Sequence, residues 1–520
     1  MSSTTTSLIN FNFGGIRRKD SCFSQEKITC SDCQNVELYY TKLNSGIGIR
    51  TSPGNICIGD FILEEEQVIN IFSSLQDNIN YLFAYVETST EGRLYNIDLE
   101  TNTKTTLIQG LSVTGCACGV DFIQGWLDMF VFSNGIEIKY IYSNTETHSG
   151  LTIETNANLK LQDQDGRNIK GLGLVNFNNR IWIFNGNVLW YSKQAECRDF
   201  AYNEPQSITS AGYIEFVKPI TAIYPYLGSL AVFHKDSSVL INVDKITGFS
   251  QADESPGGCA SYNSLVFHDT DLYFYDDTKK GVFSFKQIIN GEKILGDNIA
   301  LDIQDELIRI NSIDIQKIRT LSVVSADRNE VWFLVPISDD NNYSIVLIYD
   351  YTRNEWIKRK CQHINAINMY NNKLYSAGKQ IFEEYFGNTF NGIFIESYYK
   401  CTVFNLGEDN TLKITKFPPR VSVDSSYSNH FFVKYVKNYD ILKEPKIKEI
   451  KAKSLKNIFF WNNKQKWNDG CKFKPTGINM TVKIPSATFK ALEITFFTKE
   501  KMQDFCLKNI EFSKIKVKQV

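Results

Sequence analysis

The 520-residue sequence predicts an all-β fold: a β-propeller of six or seven irregular blades over residues 66–388, then a β-sandwich over residues 389–520. Three observations predict it. Aromatic residues make up 13% of the chain, with 36 Phe and 26 Tyr, and such side chains favour pleated, half-buried strands. An apolar strand, a polar turn and an apolar return strand recur at intervals of roughly 35–50 residues, the period of blades or solenoid turns. Only one long stretch, Ile299–Ile310, has helical spacing instead.

Residues 1–65 are expected to form an extended N-terminal arm and first strands. The turn-formers Gly14-Gly15, Asn44-Ser45-Gly46 and Ser52-Pro53-Gly54 interrupt short apolar pieces there. The strand rhythm then begins with Tyr81–Val86 and its partner Gly92–Ile97. Gly125–Phe132 with Ile136–Ile141 follows, then Arg180–Phe184 with Asn187–Tyr191. That last pair meets at Asn185-Gly186, which predicts a type I′ hairpin because both residues tolerate positive φ. Trp182 and Trp190 on its strands are expected to pack between blades. Further pairs are Ser229–Phe233 with Val239–Val243, Thr270–Tyr275 with Val282–Phe285, Glu330–Val335 with Ser344–Asp350, and Lys373–Ser376 with Gln380–Phe382. Radial closure of such units protects sheet edges. The helical stretch Ile299–Ile310 is expected as an insertion between two blades. Beyond residue 390 the rhythm changes. Ile393–Tyr399, Lys413–Phe417, Phe431–Val436, Met480–Ile484, Leu492–Phe497 and Ile510–Phe512 predict a sandwich.

A formal net charge of −2 argues against a chain that clamps nucleic acid as a whole. Lysine concentrates near the C-terminus, at Lys446, Lys448, Lys451 and Lys453 and again at Lys514, Lys516 and Lys518. Alternation with apolar residues marks these as solvated strand faces, on a domain suited to docking. The N-terminus lacks the basic-then-apolar pattern of a secretory signal. No apolar run reaches the ~18 residues of a membrane span, so none is expected. The 12 Cys include a single CxxC, Cys30 and Cys33, with Cys22 and Cys57 at a distance, and a CxC, Cys116 and Cys118. A zinc site needs four ligands, so reduced, buried thiols and synthesis in a reducing host cytoplasm are expected.

No motif for nucleophilic, phosphate-binding or metal-assisted chemistry is present. His148, His234, His268, His363 and His430 sit in separate segments. Asp163-Gln164-Asp165-Gly166 resembles part of a calcium loop, but Leu161 stands where the first Asp belongs, so a turn is expected. Ser325-Ala326-Asp327 with Trp332 echoes a sialidase Asp-box once. Glu64–Glu66 and Asp339-Asp340 are carboxylate-rich without a recognisable acid pair, and Trp461 and Trp467 share one polar loop. The expectation is a non-enzyme: no catalytic residue, no cofactor-binding residue, no metal ligand and no cofactor.

Several of these residues also resemble a family. Phe11–Gly15, Asn35-Val36 and Gly48–Arg50, then Leu189–Ser192 with Arg198–Phe200, are similar to motifs of the tail hub or nozzle (packaged-DNA stabilisation) proteins of short-tailed bacteriophages, crAss-like phages among them. Pro219–Ile223, Leu230–Phe233, Ser255–Cys259 and Leu347–Tyr351 with Trp356 follow in the same order. The resemblance implies a virion structural protein of the phage tail. Its copies, or a paralogous hub subunit, would form a sixfold or twelvefold cyclic ring below the portal-adaptor proteins. That ring would close or line the DNA exit channel, touch the exiting DNA transiently, and anchor tail fibres or spikes. The alternatives are a propeller adhesin that binds a receptor and a propeller glycan hydrolase.

Overall fold

A computed structural model describes residues 5–6, 9–17, 27–40, 46–143, 150–154, 159–201, 207–244, 248–287, 293–325, 328–337, 343–404, 411–415, 417–424, 429–438, 444–451, 480–483, 488–500, 503–512 and 515–519. The chain forms two compact units. One gathers Met1–Asn55, Ile348–Lys360 and Tyr385–Val520; the other gathers Ile56–Leu347 and Cys361–Glu384. Sequence reasoning put divisions after residues 65 and 388. The structure instead joins the first 55 residues to the C-terminal strands, because Ile9–Ile16 pairs with Cys506–Phe512, and Lys27–Gln34 with Tyr398–Cys401. Such pairings span most of the chain, and local pattern carries no trace of them.

The described structure is nearly all β. Seven antiparallel sheets follow one another along the chain, six of four strands and one of five, in the manner of propeller blades. Their first strands are β1 (Gln67–Gln76), β2 (Cys118–Gln124), β3 (Leu172–Phe177), β4 (Ala222–Tyr226), β5 (Leu265–His268), β6 (Arg319–Ser325) and β7 (Ile364–Tyr370). Each sheet continues as a meander, with two exceptions: in the fourth, the short strand Ser255–Pro256 pairs back onto Ser237–Asp244, and Asn55–Cys57, from ahead of the first sheet, supplies the fourth strand of the seventh.

Turn chemistry sets the hairpins that leave these first strands. Asp77-Asn78, Asn178-Asn179 and Asn371-Asn372 all have positive φ at both positions, the type I′ requirement that Asn and Asp meet at little cost. The expected I′ turn at Asn185-Gly186 lies one residue further on. Asn185 pairs with Val188, so Gly186-Asn187 occupies the turn, and only Gly186 has positive φ (62°), which is the type II′ pattern. Gly125-Trp126 repeats that form, which takes Trp126 out of the strand expected to contain it. The expected helix over 299–310 is an α-helix of five residues, Gln304–Ile308, between the 3-10 turns Leu301–Ile303 and Ser312–Lys317.

The second strands read as unbroken apolar runs because both faces are buried. Ile181, Ile183 and Trp190 pack with Met129 and Val131 of the preceding sheet, while Trp182, Phe184 and Leu189 pack with Leu230 and Val232 of the following one. Trp182 and Trp190 therefore fill the two faces of one hairpin. The same sandwiching links the fourth sheet to the fifth, the first to the second, and the seventh to the first.

In the other unit, an 11-stranded sheet runs from Lys446–Lys451 through His430–Lys437 to Arg420–Val423 and Met480–Lys483. Its two terminal strands approach each other, with Lys448 Nζ donating to the Lys483 carbonyl (3.2 Å), so the sheet curls back on itself. Phe13, Phe431, Phe496 and Phe505 pack edge to face within it. Cys30 lies opposite Cys401 across two strands, and Cys33 is buried close by. Burial pushes the Cys30 and Cys401 thiols well above their usual range, which keeps them protonated.

Candidate functional site

Strands β1, β2, β5, β6 and β7 share a cavity of about 300 Å³. Its polar lining explains how first strands, each an edge of its sheet, satisfy their outward carbonyls. Asn70 Nδ2 donates to the Ala117 carbonyl (3.1 Å), just before β2, and Asn368 Nδ2 to the Ile71 carbonyl (3.1 Å) on β1. Thr320 Oγ1 on β6 donates to the carbonyls of Asn263 (3.0 Å) and Leu265 (2.9 Å). The Tyr262 hydroxyl reaches the Ala117 carbonyl (3.3 Å) from the segment before β5. Short amide and hydroxyl side chains thus stitch one sheet to the next. Phe130 covers Gly119 on β2, where any Cβ would stand 2.3 Å from the ring.

Arg319, first residue of β6, is 6% exposed. Its Nη1 donates to the carbonyls of Gln316 (2.6 Å) and Ile318 (3.0 Å), and Nη2 to that of Ile69 (3.4 Å). Nε has no acceptor, nor has the buried Asn263 Nδ2 on the same cavity wall. Burial lowers the guanidinium pKa, with the neighbouring Tyr262 and Cys116 acting in the other direction. Sequence reasoning missed this residue. A lone Arg at a strand start carries no local signal.

The residues singled out from sequence do not converge. His234 Nδ1 lies 2.9 Å from the Pro219 carbonyl, and His268 Nδ1 2.8 Å from Ser322 Oγ. His363 is near Ser344, and His430 Nε2 meets Glu449 Oε1 at 2.8 Å. The Asp163 stretch is a turn: Asp163 Oδ1 accepts from the Asp165 and Arg167 amides, while Oδ2 accepts from Arg167 Nε and Trp190 Nε1. Glu64 and Glu65 are exposed. Glu66 is buried among Tyr95, Arg93 and Lys104. Cys118 is buried, with its thiol pushed up to about 12 by burial. His148, Cys22, Ala326, Asp327, Asp339, Asp340, Lys453, Trp461, Trp467 and Lys514 lie outside the described residues. Among the described residues no group of three or more His, Cys, Asp or Glu is placed to hold a metal, and no helix is long and apolar enough to cross a membrane.

A second feature lies on the turns that leave the first strands. Ser74 Oγ and the Leu75 amide donate to the Asp121 carboxylate (2.6 and 3.2 Å), and the Asp77 amide to Asp128 Oδ2 (3.0 Å). Asn176 Nδ2 donates to the Asp121 carbonyl (3.3 Å), Asn80 Nδ2 to Asn371 Oδ1 (2.7 Å), and the Tyr370 hydroxyl to the Asn80 carbonyl (3.1 Å). Turns of the seventh, first, second and third sheets are thereby clamped side by side. On them stand Leu75, Ile79, Ile123 and Trp126, all exposed, Trp126 at 73%. The Asp121 and Asp128 carboxylates are engaged by the protein itself, beside these exposed apolar side chains. Lys446, Lys448 and Lys451, on the outermost strand of the curled sheet, are exposed as expected of a solvated, lysine-guarded edge.

Comparison with known proteins shows no family for the chain. No family model matches the chain, and no curated protein matches it significantly. Among solved structures, it is similar to a catalytically inactive virginiamycin B lyase from Staphylococcus aureus with quinupristin. The identity is 11%, over 67% of this chain and 98% of that one, with a TM-score of 0.37.

Proposed function

We propose that this chain is a non-enzymatic assembly subunit of a virion: the tail hub or nozzle ring of a short-tailed phage. In this reading its seven sheets close as a seven-bladed propeller and its curled sheet serves as a β-sandwich docking domain. Support for the propeller comes from contact of β7 with β1 and from Asn55–Cys57, which closes the seventh sheet with a strand from ahead of the first. The family reading rests on the motif order described above.

The observation that carries an assembly role is the apolar patch of Leu75, Ile79, Ile123 and Trp126 on rigidly clamped turns. Exposed apolar patches mark interaction sites, and tryptophan is a preferred anchor of interfaces. A patch on one side of a subunit suits the heterologous contact that closes a ring. Copies then assemble sixfold or twelvefold beneath the portal-adaptor proteins, around the path of the exiting DNA, and carry fibres or spikes. The test is mass photometry and electron microscopy of the protein, purified and within particles. A cyclic ring is expected, lost in the double variant Ile123→Ser, Trp126→Ser while its melting temperature holds. A stable monomer in both settings overturns the reading.

A further inference from the structure

We propose that the cavity between β1, β2, β5, β6 and β7 is a carboxylate-binding site, with Arg319 and Asn263 as its donors. The open volume that Arg319 lines carries the inference, set beside the packing of two other buried arginines. Arg180 donates to the carbonyls of Ser192, Ser210 and Ile208, and packs against the rings of Tyr191 and Phe249. Arg359 donates to Ser52 Oγ and the carbonyls of Pro53 and Gly54, and packs against Tyr385 and Phe390. Both are structural clamps packed against aromatic rings, and the Nε of each, like that of Arg319, has no acceptor. Arg319 instead faces an open volume of about 300 Å³.

No carboxylate among the described residues lies within ion-pair distance of Arg319, so its charge is uncompensated. A buried charge without a counter-charge costs several kcal/mol. Beside it the Asn263 amide adds a second unsatisfied donor, and the other asparagines of the cavity are engaged through both ends. Two idle N–H groups with one positive charge call for a ligand that only accepts hydrogen bonds and carries one negative charge. The walls mix apolar side chains, Phe72, Phe130, Leu265 and Ile367, with amides and hydroxyls that the protein itself engages. A monoanionic carboxylate neutralises the site; a phosphate dianion would leave an excess charge in it. The carboxylate comes either from a free small acid or from an acidic side chain of a partner protein.

The experiment is calorimetric titration of the full chain with sodium acetate and with a tetraglutamate peptide, using sodium chloride at equal ionic strength as reference. The expected result is saturable one-to-one binding of at least one probe, weakened at least tenfold in Arg319→Gln. Because that variant can lose stability, Ser73→Phe serves as a second: Ser73 is an exposed residue of the cavity wall, so the bulky ring blocks entry and leaves Arg319 intact. Binding of acetate assigns the site to a free acid, and binding of tetraglutamate alone assigns it to a partner's chain. No saturable binding of either, binding unchanged in Ser73→Phe, or binding of inorganic phosphate in preference to both overturns the proposal.

Discussion

Replacing Arg180 by Met tests the idea that this buried arginine clamps a loop. Arg180 is wholly buried, and burial lowers its pKa to about 10, so it remains charged at neutrality. Its guanidinium holds the Ser192 carbonyl (2.5 Å), where the long connection of the third sheet departs, and the Ser210 (2.8 Å) and Ile208 carbonyls, where it returns. Methionine restores the apolar volume but none of the donors. Each hydrogen bond to a charged group contributes about 1.5–3 kcal/mol net. Carbonyls that regain water return part of that, which leaves a loss of about 3–5 kcal/mol, at the high end for a single substitution. On a unit of this size, Ile56–Leu347 with Cys361–Glu384, that lowers the melting temperature by about 5–8 °C. Arg180→Lys keeps the charge but not the planar fork, so an intermediate loss is expected. The assays are thermal unfolding and limited proteolysis, with new cleavage between Lys193 and Ser210 expected in the methionine variant. If it melts within about 2 °C of the parent and the connection stays resistant, the clamp reasoning fails.

Two further outcomes are expected. Leu227 has φ 45° in a two-residue turn and is 61% exposed, so it carries left-handed strain with little packing in return. Leu227→Asn is expected to stabilise by about 0.5–1 kcal/mol in chemical denaturation, and a loss of stability would show that the leucine packs usefully. Burial holds the pKa of His268 and of His363 below the ordinary 6.5, with each imidazole neutral in the native state. The unfolded chain binds protons near 6.5 and the folded one only at lower pH. Their contribution is therefore complete above pH 6.5 and is lost as pH falls below it. The melting temperature should drop between pH 7 and 5.5, and the double variant His268→Asn, His363→Asn should flatten that drop; an equal slope refutes the assignment.

Much of the strand rhythm was legible. Runs such as Ile181–Phe184 are apolar because two neighbouring sheets bury both faces, and burial leaves its mark on composition. Turns were legible to within a residue. The shift from Asn185-Gly186 to Gly186-Asn187 is a choice of register, which cross-strand pairing makes and turn propensity alone does not. The candidate site was not legible. Asn70 lies within β1, Asn263 in the turn ahead of β5 and Arg319 at the start of β6, and each looks like an ordinary polar residue.

The sequence by itself determined the all-β character, the repeating hairpins, and the buried placement of Trp182 and Trp190, since alternation, aromatic content and turn residues act over a few positions. Only the tertiary structure decided that Ile9–Ile16 lies beside Cys506–Phe512, that Asn55–Cys57 closes the seventh sheet, and that Arg319 faces a cavity without a counter-charge. Strand pairing is satisfied by any compatible backbone, and an arginine's partners are set by distance in space. Neither leaves a periodic trace along the chain.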